Sequence, residues 1–319
     1  MHLDMPLEKL KTYMGKSPKP KDFDEYWARA LRELDEISLD YELVKANIDA
    51  PGVECFDLYF KGVGGAKIRC MLARPKHKKV PGPGILMFHG YSVNSGDWFD
   101  KIGYASLGFT VLAMDCRGQG GKSTDTLQVE GTTLRGHIIR GLDDPNPDNL
   151  YYRNVFLDTV QASRILKSLD TVDENRVGIF GGSQGGALAI ACAALHPDVK
   201  EVVVLYPFLS DYKRVWEMDI QSSAYEEIAY FFRQFDPAHE RHEEIFNRLG
   251  YIDIQNLAER ITANVLWVTA MRDMICPPST QFATYNKIQS NKEMLIYYEY
   301  GHEFLPGIQD IALQRFLRM

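Results

Sequence analysis

Short, wholly apolar runs recur along the chain from residue 83 onward: GILMF, TVLAM, RVGIF, EVVVLY, VLWVTA and EMLIYYEY. Runs without polar alternation suit strands buried on both faces, as in a parallel sheet covered by helices, and helical stretches separate several of them. Before these runs, ECFDLYF and KIRCMLARP are β-rich and flank KGVGGA, whose glycines permit the positive φ that a hairpin turn needs. The pattern predicts an antiparallel pair that leads into a mostly parallel, doubly wound α/β sheet. Upstream, residues 1–50 read as a peripheral wrapping segment, with an acidic, aromatic helix around Phe23–Ile37 started by KSPKPKD.

Two segments interrupt the rhythm. Residues 124–154 are rich in Gly, Asp, Asn and Pro without clear periodicity, which marks a functional or mobile loop. Residues 210–260 hold aromatic, acidic helices such as YEEIAYFFRQFD between two core strands, and read as a cap-like insert over the carboxyl edge of the sheet. No internal repeat is present. Residues 1–319 therefore read as a single α/β domain carrying these additions.

Composition narrows the function classes. With 45% hydrophobic and 25% charged residues the chain has ample material for a core, which excludes a disordered protein. A net charge of −7 opposes nucleic acid as a partner. The longest apolar run, Ala187–Leu195, falls well short of the about twenty residues that span a membrane, so no membrane partner is expected. The N-terminal residues lack the basic-then-apolar order of a secretory signal. Cys55, Cys70, Cys116, Cys192 and Cys276 are odd in number and form no CxxC pair; they read as reduced core thiols of a cytoplasmic protein.

The sharpest chemical signal is Gly181-Gly182-Ser183-Gln184-Gly185, which follows RVGIF and precedes the helix-forming GALAIACAAL. A serine on such a strand-to-helix elbow is exposed as a nucleophile, and small neighbours relieve the crowding. The plainer alternative is a glycine-rich turn whose serine only caps the helix. A hydroxyl needs a base, and His302 in YEYGHEF lies just past the last apolar strand. His89, His196, His239 and His242 are placed less suitably. For the carboxylate that orients the imidazole, Asp273 in AMRDMICPP leads, with Asp211 as the competing acid; Asp115 supports a turn. Oxyanion donors are the backbone N–H of Gln184 and, after GILMF and His89-Gly90, that of Tyr91.

Arg117-Gly118-Gln119-Gly120-Gly121-Lys122-Ser123 has the wrong order for a phosphate loop, and Arg117 reads as a tie between neighbouring loops. GGSQGG lacks the GxGxxG spacing, and neither HExxH nor paired Cys/His spacing occurs, so no metal or other cofactor is expected.

Together FHGY, DCRGQGGKS, GGSQGG, MRDMICPPST and YGHE resemble carbohydrate esterase family seven, the acetyl xylan esterases and cephalosporin C deacetylases. The resemblance covers nearly the whole chain, and the RGQ cluster at Arg117, Gly118 and Gln119 separates this family from generic lipases and peptidases. It implies an α/β-hydrolase fold, a catalytic triad of Ser183, Asp273 and His302, and oxyanion donors Tyr91 and Gln184. It further implies a cofactor-free deacetylase of small acetylated sugars, assembled as a homo-hexamer. The competing readings are a serine peptidase of the prolyl oligopeptidase type, for whose N-terminal propeller the roughly eighty residues before the core strands leave no room, and a binding protein on a hydrolase scaffold.

Overall fold

The computed structural model describes residues 4–77, 80–130, 136–220 and 223–319. Small parts of the N-terminal segment, of the 124–154 loop and of the 210–260 insert thus lie outside the described residues. Among the described residues nine strands form one sheet: β1 (Tyr41–Lys45), β2 (Val53–Lys61), β3 (Lys67–Pro75), β4 (Gly82–Phe88), β5 (Thr110–Met114), β6 (Val172–Gly182), β7 (Glu201–Leu205), β8 (Asn264–Ala270) and β9 (Lys292–Tyr297). Their spatial order is β1-β2-β3-β5-β4-β6-β7-β8-β9. The pairs from β1 to β5 are antiparallel, and every pair from β5 through β4 to β9 is parallel.

The predicted hairpin forms as β2 and β3, whose turn places Gly64 and Gly65 at φ 67° and 80°. An added strand, β1, precedes it. Its residues are mostly exposed on both faces of the sheet's edge, so it lacks the apolar signature by which the other strands are recognised. By contrast every residue of β5 and of β7 is buried.

Helices cover both faces. α1 (Leu7–Leu10) and α2 (Phe23–Asp35) belong to the N-terminal segment; α2 buries Phe23, Tyr26, Trp27, Ala30 and Leu34, spaced along one helical face. α3 (Trp98–Ser106) follows β4, α4 (Tyr151–Ser168) leads into β6, and α5 (Gln184–Leu195) leaves it. All twelve residues of α5 are buried, because it packs on the sheet with α4 beside it and the turns at 254–260 against it; this explains its apolar sequence on every side. α4 begins at Tyr151, inside the segment read as a loop.

Between β7 and β8 the chain makes an excursion through α6 (Tyr212–Glu217), α7 (Glu226–Phe235) and α8 (His242–Leu249). Trp216, Phe232 and Phe246 meet there. α9 (Pro278–Tyr285) and α10 (Ile308–Leu317) complete the chain, with Phe316 of α10 in the core beneath β6 and β7 on the face opposite α5. The chain leaves β4 on one side for β5 and returns on the other for β6, so the strand order reverses at β4. Crevices at such reversals, outside the carboxyl ends of the strands, are where open α/β sheets hold ligands.

Candidate active site

Parallel strands bring their carboxyl ends to one rim. There β4 ends in His89-Gly90-Tyr91, β6 in Ser183, β7 in Tyr206, β8 in Asp273 and β9 in the turn that carries His302. Residues far apart in the chain are thus brought to one rim by the parallel strand order.

Ser183 has φ 55° and ψ −122°, a conformation that L residues rarely occupy. Surrounding bonds hold it there: its N–H donates to Leu205 O (2.9 Å), and its carbonyl accepts from Ala187 (3.1 Å) and Phe208 (3.0 Å). A Cβ on Gly181 would run into the Gly185 carbonyl, and one on Gly185 into the carbonyl of Phe88 at the end of β4. The glycines of the elbow are therefore required by close backbone approach as well as by the bend.

Asp273 is fully buried and fully partnered. Its Oδ1 accepts the N–H groups of Ile275 (2.9 Å) and Cys276 (2.8 Å), and its Oδ2 lies 2.8 Å from His302 Nδ1. An ionised carboxylate only accepts, so this bond places the imidazole proton on Nδ1 and leaves Nε2 with a lone pair. The Tyr206 ring lies 4.4 Å from the imidazole, centroid to centroid, and its hydroxyl donates to Glu303 O (3.0 Å). The buried Cys276 thiol faces the Ser183 side chain, and its sulfur, a carboxylate oxygen of Asp273 and a ring nitrogen of His302 all lie within 4.8 Å of one another. Cys276 thus stands against the Asp273–His302 pair on one side and faces Ser183 on the other. Burial, with Asp273 close by, pushes this thiol well above its ordinary range, which disfavours the thiolate that a metal would take.

The other acids are occupied elsewhere. Asp211 receives the Tyr13 hydroxyl (2.7 Å) and the N–H groups of Lys16 (2.9 Å) and Ser17 (2.8 Å), and so fastens the N-terminal segment. Asp115 receives Ser95 N–H (2.9 Å), Lys122 N–H (3.0 Å) and Arg69 (3.1 Å). Burial opposes its charge, but these donors hold its carboxyl below the usual range. His89 is fixed structurally: Nδ1 meets Gly90 O (2.7 Å) while Nε2 accepts Cys116 N–H (2.9 Å).

Gln184 opens α5, so its backbone N–H is one of the donors a helix leaves unshared. Its buried side chain runs back beneath β4, where Nε2 donates to Gly90 O (3.2 Å) and Gln119 Oε1 (3.1 Å) and Oε1 accepts from Gln119 (2.8 Å) and Tyr152 (2.8 Å). Gln119 Oε1 also accepts Ser92 N–H (2.9 Å). Two amides therefore stitch together the loops that present Tyr91 and Gln184. Arg117, next but one in the chain, forms a buried bidentate pair with Asp158 of α4 (2.7 Å for both bonds) and donates to Val63 O (3.1 Å), the tie between loops read from the sequence. Cys276, Gln119 and Tyr206 carry no signal that sequence alone assigns to this rim; MRDMICPP marks only the position of Cys276 after a strand. A cavity of about 500 Å³, lined by residues 128–130, 141 and 143–145, involves none of the site residues and belongs to the long loop.

All five cysteines are buried and unpaired, and no described helix is long and apolar enough to cross a membrane. Acetyl xylan esterase 1 from Thermoanaerobacterium sp. JW/SL YS485 superposes with a TM-score of 0.97 at 53% identity, covering 99% of each chain. Acetyl xylan esterase from Paenibacillus sp. R4 gives 0.92 at 35% identity, covering 98% of this chain and 99% of that one. The acetyl esterase Axe7A of Xylanibacter ruminicola is 32% identical over 297 residues, 91% of this chain, which spans only 64% of that relative's length. The fold is that of an α/β hydrolase, and with the family model Acetyl xylan esterase (AXE1) matching residues 1–319, the chain belongs to the acetyl xylan esterase family.

Proposed function

We propose that the protein is a serine esterase that removes acetyl groups from small acetylated sugars, xylo-oligosaccharides among them, and from related acetate esters such as cephalosporin C. The observation that carries this reading is the buried Asp273 bonded to His302 beside an elbow serine. In the proposed reaction His302 Nε2 takes the Ser183 proton as Oγ bonds to the acetyl carbonyl carbon, and the carbonyl π electrons move onto oxygen. The N–H groups of Tyr91 and Gln184 hold that oxyanion. Its collapse breaks the bond to the sugar oxygen, which leaves with the proton from His302. Water, deprotonated by the same imidazole, then attacks the acetyl-serine; acetate departs and Ser183 regains its proton. Asp273 holds the Nδ1 tautomer and stabilises the imidazolium in both halves.

We further propose a homo-hexamer, as the sequence resemblance implies, in a cytoplasm, whose reducing conditions the unpaired thiols suit. Ser183→Ala should lower turnover of p-nitrophenyl acetate by several orders of magnitude with the fold retained by circular dichroism. Near-normal hydrolysis by that variant would overturn the assignment. A steep fall in kcat/KM from acetate to butyrate on one leaving group would support acetyl as the acyl group, and a preference for longer chains would refute it.

A further inference from the structure

One buried carboxylate reaches the rim from the excursion between β7 and β8 and has no part in the proposed chemistry. Glu227, in the first turn of α7, is only 5% exposed. Its Oε1 accepts the Tyr91 hydroxyl, and its Oε2 accepts Ile138 N–H (2.8 Å). The same phenol oxygen accepts His137 N–H (3.1 Å). A Cβ on Gly136 would overlap the Glu227 carboxylate, so the backbone passes directly against it. The Tyr91 ring is held edge-on by His137 and Phe208, at 5.1 and 5.7 Å between centroids.

This clamp acts on the peptide that bears the Tyr91 N–H. In a trans peptide C=O and N–H point in opposite directions. The Gly90 carbonyl is held by Gln184 Nε2 and His89 Nδ1, which sets one end of the Gly90–Tyr91 plane. Gly90 itself would bring a Cβ only into ordinary van der Waals contact with the Val93 side chain and gives the plane no hard steric stop. The other end is set at the Tyr91 α-carbon, through a side chain anchored on Glu227.

We propose that Glu227 is a positioning residue for the oxyanion site: by gripping the Tyr91 hydroxyl it fixes the direction in which the Tyr91 N–H points. The proposal rests on the esterase reading and adds to it a contribution from the excursion. An oxyanion donor works only when it is aimed at where charge develops, so a small rotation weakens the transition state far more than the bound substrate. Retention of a carboxylate here, where burial pushes its pKa to about 7, fits a geometric task that an apolar residue could not perform.

The test compares Tyr91→Phe, Glu227→Gln and the double variant with p-nitrophenyl acetate as substrate, phenylboronic acid as a tetrahedral serine adduct and acetate as product inhibitor. Each single variant should lower kcat about tenfold with KM within about twofold, and boronate affinity should fall in parallel while acetate affinity stays. The double variant should lose no more than the worse single one, because both act through one contact. Additive losses, kcat within about twofold of wild type, or a rise in KM alone would overturn the proposal. Tyr91→Phe removes one oxygen atom and carries the test should Glu227→Gln fail to fold. A wild-type protein inactive on acetate esters would instead overturn the esterase reading itself, and this proposal with it.

Discussion

At the residue scale, the site depends on side chains that are absent. Ser183 sits in a conformation that costs about 1–3 kcal/mol, tolerated because neighbouring backbone closes around it. Gly185→Ala should lower the free energy of unfolding by about 1–3 kcal/mol and abolish esterase activity, since its methyl group has only the Phe88 carbonyl to displace. Gly103→Ala in α3, where a Cβ meets nothing within 4 Å, should be neutral or stabilising by up to about 1 kcal/mol. Urea titration of the two variants reads the contrast directly. The strand-end positions of the candidates Ser183, Asp273 and His302 were legible in the sequence because each follows an apolar run with a local signature. Cys276, Gln119 and Glu227 were not, because their places at the rim come from contacts between distant segments, which no local pattern encodes.

At the scale of elements, the loop after β5 is tied to α4 through Arg117 and Asp158, both excluded from solvent. Two ions without water depend on each other, so removing one leaves the other stranded. Asp158→Asn should cost about 3–5 kcal/mol, whereas Arg117→Met with Asp158→Leu should recover much of it, measured by denaturant unfolding. The strands that proved easiest to read were the interior ones, where burial on both faces forces continuous apolar runs. β1 escaped because an edge strand with exposed residues has no such constraint, and the antiparallel β3–β5 pairing depends on strand order, which periodicity does not report. α4 begins within the apparent loop because its aromatic, polar opening is buried by the N-terminal segment and by the loop itself rather than by a regular apolar stripe.

At the scale of the whole molecule, burial distributes an acid sensitivity. Burial, aided by Arg140 beside one and Lys167 beside the other, lowers the pKa values of His137 and His196 to about 4 from 6.5. Between those values the unfolded chain binds more protons than the folded one, so their contribution to stability is lost as pH falls from about 6.5 towards 4. Glu227 acts with the opposite sign: its raised pKa means stability is lost as pH rises from 4.5 to about 7. Comparing urea midpoints at pH 7 and pH 4.5 for wild type and His196→Gln isolates one of these groups, and the variant should show the smaller loss on acidification.

The excursion between β7 and β8 enters and leaves at two neighbouring strands, so its covalent links to the sheet are two seams, with Ser183, Asp273 and His302 outside it. Because Glu227 belongs to the excursion while Tyr91 belongs to the sheet's rim, a change in how the excursion packs is transmitted to the tyrosine through that side chain, alongside the ties that Arg241 and Arg248 make to Asp143 and Leu142.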